Sequence, residues 1–443
     1  MKKSRREPLQ QITKTIRQSM TANRVSLFMA TSMILSSLLP CKPAFAAIDA
    51  RESFVYNGHT YAFLDAESYG LESYREVAAF CRHIGGHLAV INDEEENQAL
   101  FEALKENYDK TAFFGYSDVG NEGYWLWTDD KSTYENWTRH GDVVQPDNGI
   151  TWGGDEDCAE FNYERGKEEI ANDGTWNDAP FMANTSVFIC EWEQEVNPDT
   201  LAKEPKKAKA YEGYIDVLNQ YRSNITKWEA KWEEYNRYWR SEEGNDDPEF
   251  YLDSRQIAFR DLNGDGIEEL MFTGRTDETG LEGAEEYIKD LYIFTLKNGS
   301  PVKIFQTRIY AEAGGGWRYL LAETKDHQLA VVISTVDEFE DCAMDIYRLS
   351  GKSLKKTEHH SVYMDEYAEE GWPRYTVERD GKSEEVSKDQ LEDEVKQFTG
   401  KLELPLIKSG CGSCFEVYDI GWQQECCSMN CTEALRYLKA ITR

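Results

Sequence analysis

Positive charge is scarce in this sequence of 443 residues, where 49 Lys and Arg face 82 Asp and Glu for a net charge of -33. Such a surface repels nucleic-acid phosphates and anionic lipid, which excludes polyanion binding and nucleic-acid partners. Catalytic signatures are missing as well. There is no Gly-x-Ser-x-Gly elbow, no His-Glu-x-x-His motif, no phosphate loop and no three-glycine dinucleotide fingerprint. Histidines number only 7, and His327, His359 and His360 sit in polar runs without a recognisable nucleophile. We therefore expect no enzyme. The paired carboxylates of a glycosidase could still hide among the 82 acids, so a hydrolase in the second half of the chain stays open. No internal repeat occurs at a solenoid period, and past residue 46 no apolar run is long enough to cross a membrane.

Apolar residues are ample by contrast. The chain is 40% hydrophobic with 12 Trp, 25 Tyr and 19 Phe, enough to build cores and too much for disorder. Its length suits two or three domains of roughly 100–200 residues each. The Lys- and Arg-rich start leads into the apolar run Val25 to Leu39, followed by Pro40 and Ala44-Phe45-Ala46, a small-x-small cleavage pattern. Residues 1–46 read as an export signal, which makes the mature chain secreted or cell-surface and leaves it no transmembrane helix. Lipid attachment at Cys41 is the alternative, disfavoured because Pro40 stands where a small residue is needed. Export directs most of the 10 cysteines toward disulfides. Without Cys41 an odd number remains, so at least one is free, intermolecular or metal-bound.

Composition breaks at residues 194–210, where the Lys-rich run KEPKKAKA reads as a linker. Upstream, residues 52–193 are dense in Trp, Gly and Asp. They hold β-like runs at Tyr61 to Leu64 and Val187 to Trp192, and helical stretches at Leu71 to Ile84 and Asp93 to Asn107, the latter capped by Asn92 and Asp93. Downstream, Ile215, Leu218, Tyr221, Ile225, Trp228, Trp232, Tyr235 and Trp239 recur every three or four residues, so residues 211–240 should form an amphipathic helix packed on a core. Strands are expected at 256–260, 269–273, 291–296, 329–335 and 345–349, making residues 211–443 a second α+β domain.

Oxygen ligands gather between Gln145 and Asp178. Gln145 and Asp147 flank Pro146, and a cis bond there would turn both side chains toward one ion; Glu156, Asn177 and Asp178 complete the set. Calcium takes about six to eight oxygens, so these side chains with one backbone carbonyl leave two positions open. Two adjacent hydroxyls of a sugar would fill them, and Trp152 in the glycine-rich loop could cover the apolar face of the ring. Asp118, Glu122, Asn148 and Asp157 form a second oxygen set, read as an accessory calcium site that stiffens the loops.

Residues 52–193 resemble the C-type lectin family along nearly their whole length. The resemblance rests on Cys81 with Gly85-Gly86-His87-Leu88-Ala89-Val90-Ile91, then Phe113-Phe114-Gly115-Tyr116, Trp125-Leu126-Trp127, Glu156-Asp157-Cys158, Trp176-Asn177-Asp178 and Phe188-Ile189-Cys190-Glu191. It implies a fold of two helices with looped antiparallel sheets and a Cys81–Cys190 disulfide. It also implies primary calcium and sugar ligands at Gln145, Asp147, Glu156, Asn177 and Asp178, and auxiliary calcium ligands at Asp118, Glu122, Asn148 and Asp157. The order Gln145-Pro146-Asp147 resembles the galactose-type subclass, whereas Glu-Pro-Asn is associated with mannose. One departure stands out: Cys158 lacks its customary partner, because Phe181 occupies that place. A protein-recognition module on the same fold is the competing reading.

In the second domain, Asp261, Asn263, Asp265, Ile267 (through its carbonyl) and Glu269 have the DxNxDGxxE spacing of a calcium loop, with Gly266 at the sharp turn. The loop resembles the short calcium loops of integrin-type and bacterial cell-surface repeats, which points to a structural ion and a bacterial exported chain. Cys411-Gly-Ser-Cys414, Cys426-Cys427 and Cys431 read as structural disulfides, with zinc as the alternative. The sequence thus describes an exported α+β protein that binds galactose-type glycans on cells or extracellular polymers through Ca2+.

Overall fold

The computed structural model describes residues 52–197 except 110, 120–122, 129–131, 141–142, 152–153, 168–171 and 182–186, residues 205–242 and 257–275, residues 289–391 apart from short breaks, and residues 429–442. The expected export signal, Glu122, Trp152 and Cys411 to Cys427 lie outside the described residues.

The first region opens with the hairpin β1 (Glu52–Tyr56) and β2 (His59–Asp65), turned by Asn57 and Gly58 at positive φ. Three helices follow around the first core: α1 (Ala66–Tyr69), α2 (Tyr74–His83) and α3 (Glu94–Asn107). Ser73 caps α2 by accepting the Glu76 N–H, and Asp93 caps α3 by accepting the Glu96 N–H at 2.8 Å. Each such cap stabilises its helix by about 1 kcal/mol. Both helices fall inside the stretches that the sequence periodicity marks.

The remaining strands are β3 (His87–Leu88), β4 (Ala112–Ser117), β5 (Leu126–Trp127), β6 (Arg139–His140), β7 (Val143–Val144), β8 (Ile150–Thr151), β9 (Gly154–Asp155), β10 (Cys158–Phe161), β11 (Trp176–Ala179) and β12 (Val187–Trp192). The main sheet runs β1-β2-β12-β4-β10-β11, with β3 beside β12 and β5 beside β4. Among the described strands of this sheet, β12 and β4 pair in parallel and the other pairs are antiparallel. Two short hairpins, β6–β7 and β8–β9, stand apart from this sheet and carry the long loop between β5 and β10. That loop is anchored by aromatic packing: Trp176 is fully buried against Phe114, Tyr116, Trp127, Tyr134 and Trp137, and its indole N–H donates to Asn97 Oδ1 at 2.7 Å.

Beyond this region, α4 (Pro205–Glu242) begins within the segment read as a linker. Pro205 is the reason: proline is favoured at the first helical position, where its missing N–H costs nothing, and the Lys and Ala that follow are good helix formers. Tyr211, Tyr214, Leu218 and Ile225 are buried, and Ile215 and Tyr221 pack partly on the same core, as the periodicity requires. The side chains of Trp228, Trp232, Tyr235 and Trp239 lie outside the described residues. A four-stranded antiparallel meander follows in β13 (Ile257–Arg260), β14 (Glu269–Arg275), β15 (Lys289–Lys297) and β16 (Ser300–Ile309), then a seven-stranded antiparallel sheet spanning residues 311–386. Helix α5 (Cys431–Thr442) closes the described chain. The architecture is α+β, as expected.

One apolar cluster runs from Phe80, Phe188 and Trp192 of the first region through Tyr211, Tyr214 and Phe259 to Tyr437 and Leu438 of the second. Polar contacts follow the same seam. Arg436 of α5 pairs with Glu76 and Glu72 at 2.7 Å each, and His83 meets Glu268 at 3.0 Å. Among the described residues no helix is long and apolar enough to cross a membrane.

Candidate metal centre

Chain geometry brings part of the predicted ligand set together. The Gln145–Pro146 bond is cis, and Gln145 is fixed from β7 by its N–H to the Thr138 carbonyl at 3.0 Å. Glu156 follows the β8–β9 hairpin. Asn177 and Asp178 lie on β11, in register with Glu160 and Ala159 of β10. The buried Trp176 sets the depth of that strand, so the two residues after it arrive at a fixed place. Carboxylate oxygens of Asp147, Glu156 and Asp178 then lie within 4.8 Å of one another.

Electrostatics at this cluster are unbalanced. Burial first, and then the charges of Asp178 and Asp147, push the Glu156 carboxyl up to about 7. Burial likewise raises Asp178, although backbone N–H groups of Asn148 and Asp147 oppose it. The Asn148 N–H reaches Asp178 Oδ2 at 2.8 Å, and the Gly149 N–H reaches Glu156 Oε2 at 3.2 Å. Asp178 Oδ1 and Gln145 Oε1 are buried oxygens with no hydrogen-bond partner. A buried oxygen left without a donor costs about 1–3 kcal/mol, which a cation would recover. Hard oxygen donors of this kind, three of them charged, fit Ca2+ in place of a softer ion.

Asn177 precedes Asp178 on β11. Its Nδ2 donates to the Asp178 carbonyl at 2.7 Å and to Glu160 Oε1 at 3.4 Å, so Oδ1 is the atom it could offer an ion. Glu160 was not singled out by sequence. Burial pushes its carboxyl up to about 8 against the opposing bonds from Asn177 and Thr111. Its position two residues past Cys158, opposite Asn177 in a β pair, was the one available signal.

The other expected sets are less complete. Asp118 is buried; its carboxylate accepts the Gly123 N–H at 2.8 Å and its own N–H donates to the Asp157 carbonyl at 3.1 Å. Of the accessory set, Asn148 donates its backbone N–H to Asp178, a bond that does not engage its side chain, and Glu122 lies outside the described residues. In the second region, Asp261, Asp265 and Glu269 are not among the groups of described residues whose ligand atoms all lie within 4.8 Å of one another. Asp261 instead accepts N–H bonds from Asn263, Gly264, Asp265 and Gly266, Asn263 accepts from Asp265, and Asp265 from Ile267. Glu269 is fully buried, bonded to the Leu262 N–H and the Thr295 hydroxyl, and burial followed by the charges of Asp265 and Asp261 pushes it up to about 7.

Cys81 and Cys190 are adjacent, buried and hydrogen-bonded, yet both are free thiols, so the expected bridge is not formed in the structure. Closing it requires the loss of two electrons and two protons. Cys158 is also free, and Phe181 packs against Phe113 and Tyr74 instead of offering a thiol.

The sequence pattern of the Lectin C-type domain matches residues 71–192. Perlucin of the abalone Haliotis laevigata is 35% identical over 130 residues, covering 28% of this chain and 71% of that protein. The chain belongs to the C-type lectin family. Human asialoglycoprotein receptor 2 is 30% identical over 141 residues, and this chain spans 38% of its length. Among solved structures, the mouse scavenger receptor C-type lectin carbohydrate-recognition domain is 29% identical, with 33% of this chain and 97% of that one covered and a TM-score of 0.24. The match is confined to the lectin domain, so the family relationship covers the region that holds the carboxylate cluster.

Proposed function

We propose that the lectin domain binds one Ca2+ through Gln145, Asp147, Glu156, Asn177 and Asp178, and through that ion the vicinal hydroxyls of galactose or N-acetylgalactosamine. The observation that carries this reading is the convergence of three carboxylates beside two buried, unpartnered oxygens, those of Gln145 and Asp178. The ion supplies open coordination positions for two hydroxyls. The protein's part is orientation: amide and carboxylate groups of the same residues present donors and acceptors to the hydroxyl hydrogens. Gln145 and Asp147 stand in the order of the galactose-type subclass, and one relative is by its name a receptor for asialoglycoproteins. Trp152 is the ring proposed to cover the sugar's apolar face.

In the same reading the chain is exported after loss of residues 1–46, and residues 211–443 carry a structural calcium at Asp261 to Glu269. An accessory calcium at Asp118, Glu122, Asn148 and Asp157 stiffens the loops. The decisive experiment is retention on galactose resin with calcium and release by chelator. Equal retention in excess chelator overturns the calcium mechanism, and capture of a protein partner that free sugar fails to displace overturns the sugar.

A further inference from the structure

Away from the carboxylate cluster, four titratable side chains meet where the chain leaves the lectin domain. His59 opens β2, His87 opens β3, and Glu191 lies near the end of β12, which pairs with both strands. Glu193 follows in the bend just past β12, where its carboxylate reaches both histidine rings. His87, Glu191 and Glu193 offer ligand atoms within 4.8 Å of one another, and His59, outside that group, brings its Nε2 to 3.8 Å from the same Glu193 carboxylate.

The hydrogen bonds fix the tautomers. His87 Nδ1 lies 2.8 Å from the Leu88 carbonyl, and His59 Nδ1 lies 2.6 Å from Glu191 Oε1. Both partners only accept, so both Nδ1 atoms carry the hydrogen and each neutral ring keeps its lone pair on Nε2. Those two lone pairs face one carboxylate: His87 Nε2 is 3.3 Å from Glu193 Oε1, and His59 Nε2 is 3.8 Å from Glu193 Oε2. Lone pairs facing a carboxylate repel unless a proton or a metal ion stands between them. Glu191 is nearly fully buried and is itself held by the Val90 N–H at 2.9 Å and the Tyr61 hydroxyl at 3.1 Å.

We propose that His59 Nε2, His87 Nε2 and Glu193 form a second metal site, for Zn2+, with Glu191 and the Leu88 carbonyl as positioning groups for the two rings. Two imidazoles and one carboxylate suit zinc, not calcium, and leave its fourth position to water. A ligating histidine commonly donates its other N–H to a carboxylate or a backbone carbonyl, which is the role of Glu191 and Leu88 here. The ion ties the β1–β2 hairpin and β3 to the segment that runs on toward α4.

The test titrates the full chain with Zn2+ under saturating Ca2+, so that the lectin cluster is occupied, for wild type, His59→Gln/His87→Gln, Glu191→Gln and Asp147→Asn. The double histidine variant should take up one zinc fewer than wild type, Glu191→Gln should weaken that zinc by roughly 10–100-fold, and Asp147→Asn should keep it. Co2+ substituted at this site should absorb as a nitrogen and oxygen complex without thiolate charge transfer, which separates it from any zinc on the C-terminal cysteines. Circular dichroism and thermal unfolding check that each histidine variant is folded. Equal zinc uptake by the wild type and the folded double variant overturns the proposal.

Discussion

Replacing Asp178 by Asn should act with opposite signs in the presence and absence of calcium. The carboxylate is buried, its Oδ2 accepts the Asn148 N–H and its Oδ1 has no partner. Asparagine keeps the shape and one acceptor but removes the charge. With calcium at about 100 times its dissociation constant the ion contributes about 2.7 kcal/mol, and the variant should lose most of this. In chelator the balance reverses. Two unit charges at the 4.8 Å limit of the cluster repel by about 3 kcal/mol at an effective dielectric of about 20. Asp147 is exposed and water screens its share, so the Asp178–Glu156 pair dominates. Removing Asp178 should therefore let Glu156 fall from about 7 toward its ordinary value, and the chelated variant should melt no lower than chelated wild type. The assay is thermal unfolding of the full chain, wild type and Asp178→Asn, each in calcium and in chelator at pH 7.5. Equal destabilisation in both conditions would show that the residue is a packing element and refute the ion-site reasoning.

Calcium affinity should fall as pH drops below about 7, because the proton held by Glu156 in the empty site competes with the ion; calcium titrations at pH 5, 6, 7 and 8 check this, and equal affinity from pH 5 to 7 would contradict it. Exchanging Gln145 for Glu and Asp147 for Asn should shift preference from galactose toward mannose, read by competition on resin; an unchanged preference defeats the hydroxyl-pair argument. Non-reducing peptide mapping of the exported protein should find Cys81 joined to Cys190 and Cys158 unpaired; Cys81 joined to the C-terminal cysteines would count against it. Asp265→Ala should lower the melting temperature by a few degrees in calcium and leave it unchanged in chelator; an unaffected midpoint in calcium would mark the loop as an acidic turn.

The lectin site was legible because its ligands sit in short local motifs. Gln145-Pro146-Asp147 and Trp176-Asn177-Asp178 each carry their own positioning device, a proline bond in one and a buried indole in the other, so spacing alone announces chemistry. The loop at Asp261 to Glu269 shows the limit of such reading. Its spacing states which oxygens could converge, whereas the loop N–H groups that Asp261, Asn263 and Asp265 accept are visible only in the folded backbone. Glu160 is visible only as the cross-strand neighbour of Asn177. The histidine cluster joins residues 59, 87 and 191 from three strands with 193 from the bend after the last, and no window along the sequence contains it.

The division into two domains shows the same limit at a larger scale. A Lys-rich, apolar-poor run reads as a linker because it offers nothing to bury, but charge on a helix surface produces the same composition. Pro205 starts a helix there, and six residues later Tyr211 and then Tyr214 enter the core shared with α2. Glu268 makes the coupling specific. Its carboxylate meets His83 of the lectin domain at 3.0 Å and the Tyr437 hydroxyl at 2.7 Å, and its N–H donates to the Tyr211 hydroxyl at 2.9 Å. Burial alone would raise its pKa, and the bonds from His83 and Tyr437 hold it below the ordinary carboxylate range. The neighbouring Glu269 faces the other way into its own sheet. Two adjacent acids at the end of the acidic loop thus serve different partners, so the loop's conformation bears on how the lectin domain is held as well as on the sheet beneath it.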